Sequence, residues 1–311
     1  MPFTHCSIRG CVLTDSFAQI SASGLAGAPL RRNPWRVLLR RASFWIPAVV
    51  LALLAVIAVF PGLFAGLFGN SDPRVCDLGA SGASPSDGHP FGQDLQGCDV
   101  FANVIYGAQA SLSIGVLTTL IAVLVAIVVG TLAGLYGGAL DWILSRVTDV
   151  FLGFPFLLGA VVLLNSIGDR SVLTISLVLA LLGWGTMARI VRGSVRSVQG
   201  ADFVDAARTM GLSTWRIVVR YILPNSLAPL FVIATIAVGA TIVAESSLTY
   251  LGIGLRAPAI SWGLQLASAS GQFQNNPHLL IFPAAFLAVT VLSIITLGDT
   301  LRTALDPRRQ N

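Results

Sequence analysis

The sequence predicts an all-α integral membrane protein built as one bundle of about six transmembrane helices. Composition is the first reason. Of 311 residues, 55% are hydrophobic and 11% charged, with a mean hydropathy of +0.81, whereas soluble domains carry about 25% charged residues. Recurrence is the second: charge-free apolar stretches follow one another along the chain, and a span needs about 20 such residues. The third is the arginine distribution, which alternates from one connection to the next.

All 19 basic residues are Arg and none is Lys. A phosphate-binding Walker A loop needs a lysine, as does Schiff-base chemistry, so both are excluded for this chain. His5, His89 and His278 are far apart and have no metal-ligand spacing. No His-Glu-x-x-His or Gly-x-Ser-x-Gly occurs. The sequence therefore offers no catalytic residues, no metal site and no resident cofactor, and nothing in it points to nucleic acid.

Residues 1–40 are expected to be a flexible N-terminal segment. Cys6 and Cys11 lie there beside His5, read as two thiols rather than metal ligands. Arg31, Arg32, Arg36, Arg40 and Arg41 precede the first apolar run. That run is too long for a signal peptide and has no clean small-residue cleavage site, so an uncleaved span is expected over 41–69. Residues 70–107 form a connection with Asp72, Asp77, Asp87, Asp94 and Asp99 and must hold a small ordered structure. A core of five further spans is expected over 108–302, followed by a tail over 303–311. The six spans fall at about 44–66, 110–136, 146–166, 172–193, 227–252 and 279–302. Gly130, Gly134 and Gly138 either let two helices approach closely or reflect ordinary glycine content. Pro155 predicts a kink in the third span.

With six spans both termini share one side. Only Arg74, Arg170 and Arg256 fall on the other side. The arginine-rich side is the cytoplasm by the positive-inside rule, and 70–107 faces outside.

The loop over 199–224 is the most charged part of the chain, with Asp202, Asp205, Arg208, Arg216 and Arg220. A helix is expected from Ala201 to Met210, with Phe203, Ala206, Ala207 and Met210 at helical spacing. Gly211 ends it in a left-handed cap. A second helix is expected from Ser213 or Thr214 to Ile222, and Pro224 marks a break. The loop is either a solvated connector or a face for docking a partner. Glu245 lies within the fifth span. It is either a proton-relay or substrate contact, or a hydrogen-bonded group that fixes helix packing, and the second reading is preferred because no relay accompanies it. Asp149 has Arg146 three residues before it, which predicts a local ion pair.

Asp205-Ala206-Ala207, three residues, Gly211, nine residues, Tyr221, one residue, Leu223-Pro224 resembles the Glu-Ala-Ala loop of ABC importer permeases. Asp205 stands for the Glu, and Tyr221 for an Ile. The stretches His89–Leu112, Glu245–Gly252, Ser261-Trp262-Gly263 and Gly298–Arg308 are similar to C-type permeases of the dipeptide/oligopeptide group. The resemblance implies a type I importer permease fold in a bacterial inner membrane, with Asp205, Ala206, Ala207, Gly211, Leu223 and Pro224 coupling it to ATPases. It implies a second permease subunit as partner, with two cytoplasmic ATPase subunits or one fused ATPase that bind ATP and Mg. An extracytoplasmic binding protein would deliver di- or oligopeptides; permeases of this family also handle nickel chelates and glutathione. The rival class is an ion-gradient-driven secondary transporter using Glu245, but the symmetric broken helices of that class are not found.

Cys76 and Cys98 both fall in the outward segment, where disulfides persist, while Cys6 and Cys11 fall on the reducing side. A Cys76–Cys98 disulfide is therefore expected, against two unconnected thiols. The similar permeases usually have Arg where Cys98 stands, which is consistent with a paired gain of two cysteines.

Overall fold

The computed structural model describes residues 42–68 and 72–305. The expected segment 1–40, with Cys6 and Cys11, and the tail from 306 lie outside the described residues.

The described elements run α1 (Ala42–Val59), α2 (Pro61–Ala65), α3 (Val100–Tyr136), α4 (Gly138–Gly153), α5 (Phe156–Ile167) and α6 (Val172–Gln199). Then come α7 (Asp202–Thr209), α8 (Thr214–Ile217), α9 (Leu223–Ser226), α10 (Ala228–Tyr250), α11 (Trp262–Ala269) and α12 (His278–Leu305). Strand pairing among the described residues is limited to isolated bridges in the 72–99 segment. Four helices, α3, α6, α10 and α12, are long and apolar enough to cross a membrane singly. Two bent pairs bring the number of spans to as many as six.

The bends correct two expected spans, and both lie at prolines. The first, expected to run unbroken through 66, turns by 99° between Ser43–Val59 and Pro61–Phe68. The third, expected as one kinked helix over 146–166, is two helices, α4 and α5, at 88°. Pro155 has no N–H to give and biases the residue before it toward extended geometry. Phe154 takes that geometry, with φ −83° and ψ 130°.

The second span begins at Val100 rather than at 110, within the expected 70–107 connection. Asp99 caps it by accepting from the Phe101 N–H at 2.8 Å. Val100, Phe101, Val104, Ile105 and Ala108 are apolar and bury their side chains as soon as the helix starts. Its 37 residues reach about 55 Å at 1.5 Å per residue, well beyond a hydrocarbon core of about 30 Å. It ends before Gly137, whose φ of 61° and ψ of −156° belong to a glycine-only region.

α3 packs along α6. A Cβ on Gly130 would stand 2.7 Å from the Ala188 carbonyl, and one on Gly134 2.8 Å from Val195 Cγ1. These two glycines set the separation of the helices. Gly138 does not take part: it starts α4 and meets nothing within 4 Å. Nearer its start α3 meets α10, where a Cβ on Gly115 would lie 2.5 Å from Ile242 Cγ1. Trp262, fully buried, locks α11 onto the start of α3 by donating from Nε1 to the Val104 carbonyl at 3.0 Å.

The 72–99 segment is organised by side chains that imitate turns. Asp77 accepts from Gly79 N–H, and Asp94 accepts from the N–H groups of Gln96 and Cys98. Burial pushes the Asp94 carboxyl above the usual range, against the pull of backbone N–H groups from Cys98, Gln96 and Gly97. Phe91 stacks on Phe282 of α12 at 3.9 Å between ring centres.

Candidate functional site

The candidate site is the 199–224 loop, which the structure resolves into two faces. α7 buries Val204 and Ala207 against the end of α6, in a cluster with Val191, Val195, Ile217 and Ile222. Its other face is open: Phe203, Ala206 and Met210 are exposed, Met210 to 69%, with Trp215 beside them at 77%. The expected stripe of Phe203, Ala206, Ala207 and Met210 is thus divided, because Ala207 belongs to the inner face with Val204.

Gly211 has φ +75°. Its N–H donates to the Arg208 carbonyl at 2.9 Å, and the Leu212 N–H to the Ala207 carbonyl at 3.3 Å. That pair of bonds is a Schellman cap, and Leu212 packs on the inner cluster. Asp202 and Asp205 sit in the first turn of α7, where the helix dipole favours acids. Asp205 also accepts from Arg208 at 3.0 Å; both are well exposed, so this pair contributes little stability.

The second helix of the loop differs from expectation. Ser213 holds the cap position but makes no side-chain capping bond, and α8 is a single turn. Pro224 does not break the chain. With no N–H to offer the Arg220 carbonyl, it is preceded by a widened π-helical turn over Val218–Ile222, and the backbone stays helical through Leu223–Ser226. Ile222 is buried under this turn, while Tyr221 and Leu223 pack at its edge.

Around the loop lie carboxylates shared between helices. Asp141 of α4 accepts from Arg192 Nε, from Arg192 Nη2 at 2.8 Å and from Arg196 Nη2 at 2.7 Å. Asp149 meets Arg146 at 3.6 Å, as expected from spacing, but is closer to Arg189 of α6 at 2.5 Å. Sequence reading missed the Asp141 cluster because its partners stand on another helix, and the only signal was two arginines four apart on α6.

Glu245 is fully buried in α10. Its Oε1 accepts from Thr249 Oγ1 at 2.8 Å and its Oε2 from Ser246 Oγ at 3.3 Å. Thr249 Oγ1 in turn accepts from the Leu255 N–H at 3.1 Å, which ties the chain after α10 back onto the helix. No basic residue pairs with Glu245 among the described residues. At the far end of the bundle, Cys76 and Cys98 face each other in an antiparallel bridge, with Cα atoms 4.1 Å apart and sulfurs joined.

An apolar bundle of this kind, with short amphipathic helices at its arginine-rich end, is a multi-pass membrane component. Residues 126–311 match the family model described as binding-protein-dependent transport system inner membrane component, and the chain belongs to that family. It is similar to the oligopeptide transport system permease protein OppC of Bacillus subtilis, 34% identical over 84% of this chain and 85% of that one. It is also 40% identical to the dipeptide transport system permease protein DppC of the same organism, over 72% of this chain and 70% of that one. A chain of the MetNI methionine ABC transporter in an inward-facing crystal form shares the fold. The TM-score is 0.54 at 19% identity, over 65% of this chain and 96% of that one.

Proposed function

We propose that this chain is one of two permease subunits of an ATP-driven importer of di- and oligopeptides. The supporting observation is α7, a capped amphipathic helix that buries one apolar face in the bundle and leaves Phe203, Ala206 and Met210 uncovered. Burying an exposed Phe or Met side chain contributes about 1.5–3 kcal/mol, so a partner covering this face gains several such contributions.

In this reading the arginine-rich end faces the cytoplasm, where both termini lie. Two ATPase subunits, or one fused ATPase, bind ATP and Mg and grip the 199–224 loops of the two permeases. Their movement passes through α7 into α6 and is read out as rocking of the bundle. A binding protein delivers the peptide to the end that carries Cys76 and Cys98. This chain has no catalytic step of its own and needs no cofactor. The peptide assignment follows the names of the OppC and DppC relatives.

The test is co-expression with the neighbouring transport genes, purification, and uptake of labelled dipeptides by proteoliposomes. ATP-dependent uptake that survives a protonophore is expected. Met210→Asp with Trp215→Asp should release the ATPase but keep the second permease. Uptake that ignores ATP and collapses with the proton gradient would replace this reading by an ion-coupled transporter.

A further inference from the structure

A cavity of about 560 Å³ opens between α3, α4 and α6, within the range of about 300–1,000 Å³ usual for ligand pockets. It lies at the arginine-rich end of the bundle. Its wall on α3 runs from Val129 to Ala133, about 5–10 Å along the axis before that helix ends at Tyr136.

The other two walls carry charge. Arg146, Asp141 and Asp149 come from α4, while Arg189 and Arg192 come from α6. Asp141 is shared by Arg192 and Arg196, and Asp149 by Arg146 and Arg189. Four guanidinium groups thus meet two carboxylates, and no other acid lines the cavity. These pairs do not exhaust the arginines, because a guanidinium has five N–H donors. Arg189 and Arg196 each give one nitrogen to a carboxylate, and Arg146 makes a contact of only 3.6 Å. The side chains of Arg146 and Arg189 are 66% and 56% exposed, so donors remain for a ligand.

Beside this charge the surface is apolar. Trp142 lines the cavity and is 63% exposed, with Arg146 at 5.8 Å from its ring centre. From Val129 the exposed face of α3 continues through Val128, Val125, Leu124 and Leu120 toward the middle of the helix. Tyr136 is exposed at the end of the same helix, and Trp and Tyr gather where a membrane meets water. A cationic seat at this level, continuous with an apolar helix face, has both chemistries of a phospholipid.

We propose that this cavity holds the phosphate of an anionic phospholipid whose acyl chains lie along α3. The phosphate oxygens accept from Arg146 and Arg189, so the headgroup bridges α4 and α6 and offsets part of the excess positive charge. Basic pockets between membrane helices suit such headgroups. A soluble phosphate satisfies the same donors but leaves the apolar face uncovered. The inference is independent of which solute is transported.

The test titrates the purified complete transporter, in detergent, with phosphatidylglycerol or phosphatidylcholine, and counts bound lipids by native mass spectrometry. An excess of tightly held phosphatidylglycerol over phosphatidylcholine is expected. Arg146→Gln should weaken one of the phosphatidylglycerol sites about fivefold, and its combination with Arg189→Gln about twenty-five-fold. Asp149→Asn removes a carboxylate from the same cavity and should tighten that site about fivefold. If the ion pairs served only to hold the helices together, both kinds of variant would weaken binding, so the opposite signs separate the two roles. Arg302→Gln, at an exposed position of α12 outside the cavity, should change nothing. If the double variant does not assemble, Arg146→Gln and Asp149→Asn alone give the two signs. Lipid counts that these substitutions leave unmoved overturn the inference, and that is the result if the second permease covers the cavity. Displacement of the lipid by inorganic phosphate at equal concentration assigns the site to a soluble anion and overturns the lipid.

Discussion

Replacing Gly211 by Asn, Ala or Val separates backbone geometry from packing in the α7 cap. A Cβ at this position meets nothing within 4 Å, so a side chain costs nothing sterically. The whole penalty comes from φ +75°. A left-handed residue other than glycine costs about 1–2 kcal/mol, with Asn the exception that visits the region readily. A β-branched residue is a genuine outlier there, so Val should abandon the conformation. The cap would then lose the bonds from Gly211 N–H to Arg208 and from Leu212 N–H to Ala207, about 1 kcal/mol each. The order is Asn, then Ala at about 1 kcal/mol, then Val at about 2–4 kcal/mol. Hydrogen exchange on the assembled complex reads this directly, since about 1.4 kcal/mol is a tenfold change in local opening. Amides at the end of α7 should exchange close to the wild-type rate in Asn, about fivefold faster in Ala and about a hundredfold faster in Val. Peptide moved per ATP hydrolysed should fall in the same order. Equal exchange for Asn and Val, or a Val variant with wild-type coupling, would refute the argument that the left-handed cap holds the loop in place.

Glu245→Gln keeps an acceptor for Thr249, so near-normal uptake is expected, while Glu245→Leu should lower the melting temperature and release the chain after α10. Loss of uptake in the Gln variant, with assembly intact, would make the carboxylate itself functional. Asp141→Asn should cost about 1–2 kcal/mol, discounted because both arginine partners are partly exposed, and Arg192→Gln should cost more than Arg196→Gln because Arg192 makes two of the contacts; a thermal melt of the purified complex checks the order. Cys76→Ser removes a link between residues 22 apart, worth about 3 kcal/mol in the chain-entropy model. Faster proteolytic nicking between the two positions is the readout, and maleimide labelling of both cysteines in unreduced wild-type membranes would contradict the bond.

Much of this fold was legible because hydropathy and proline act locally. The apolar runs gave the positions of α3, α6, α10 and α12, and the left-handed state of Gly211 follows from its place after a helical pattern. What escaped was decided elsewhere in the structure. Val100 starts a helix early because Trp262, distant in sequence, buries its first turns. Pro155 by itself predicts a kink, yet an 88° turn needs neighbours that accept two separate helix ends. Pro224 by itself predicts a break, yet the chain absorbs the missing N–H in a wider turn, which keeps Ile222 buried. Within the loop, spacing placed Ala206 and Ala207 on one stripe, and only the position of α6 sends one inward and the other outward.

The uninterrupted length of α3 has a mechanical consequence. It contains no proline, while prolines lie inside α1 and α12 and at the break between α4 and α5. One end is joined to the disulfide-bearing segment at Asp99 and tied to α11 through Trp262, and near the other Gln199 Nε2 donates to the Leu135 carbonyl at 3.3 Å, one turn of chain before α7. A helix without a proline joint, held near both ends, does not fold when pushed. It tilts, and an ångström of travel beside the loop becomes a comparable travel of opposite sense beyond the pivot. The close contacts of Gly115 with Ile242 and of Gly130 with Ala188 lie between those ends and are where such a pivot would bear. α6 is also free of proline, so the proline joints of the bundle lie in α1, in α12 and between α4 and α5, and bending is concentrated there.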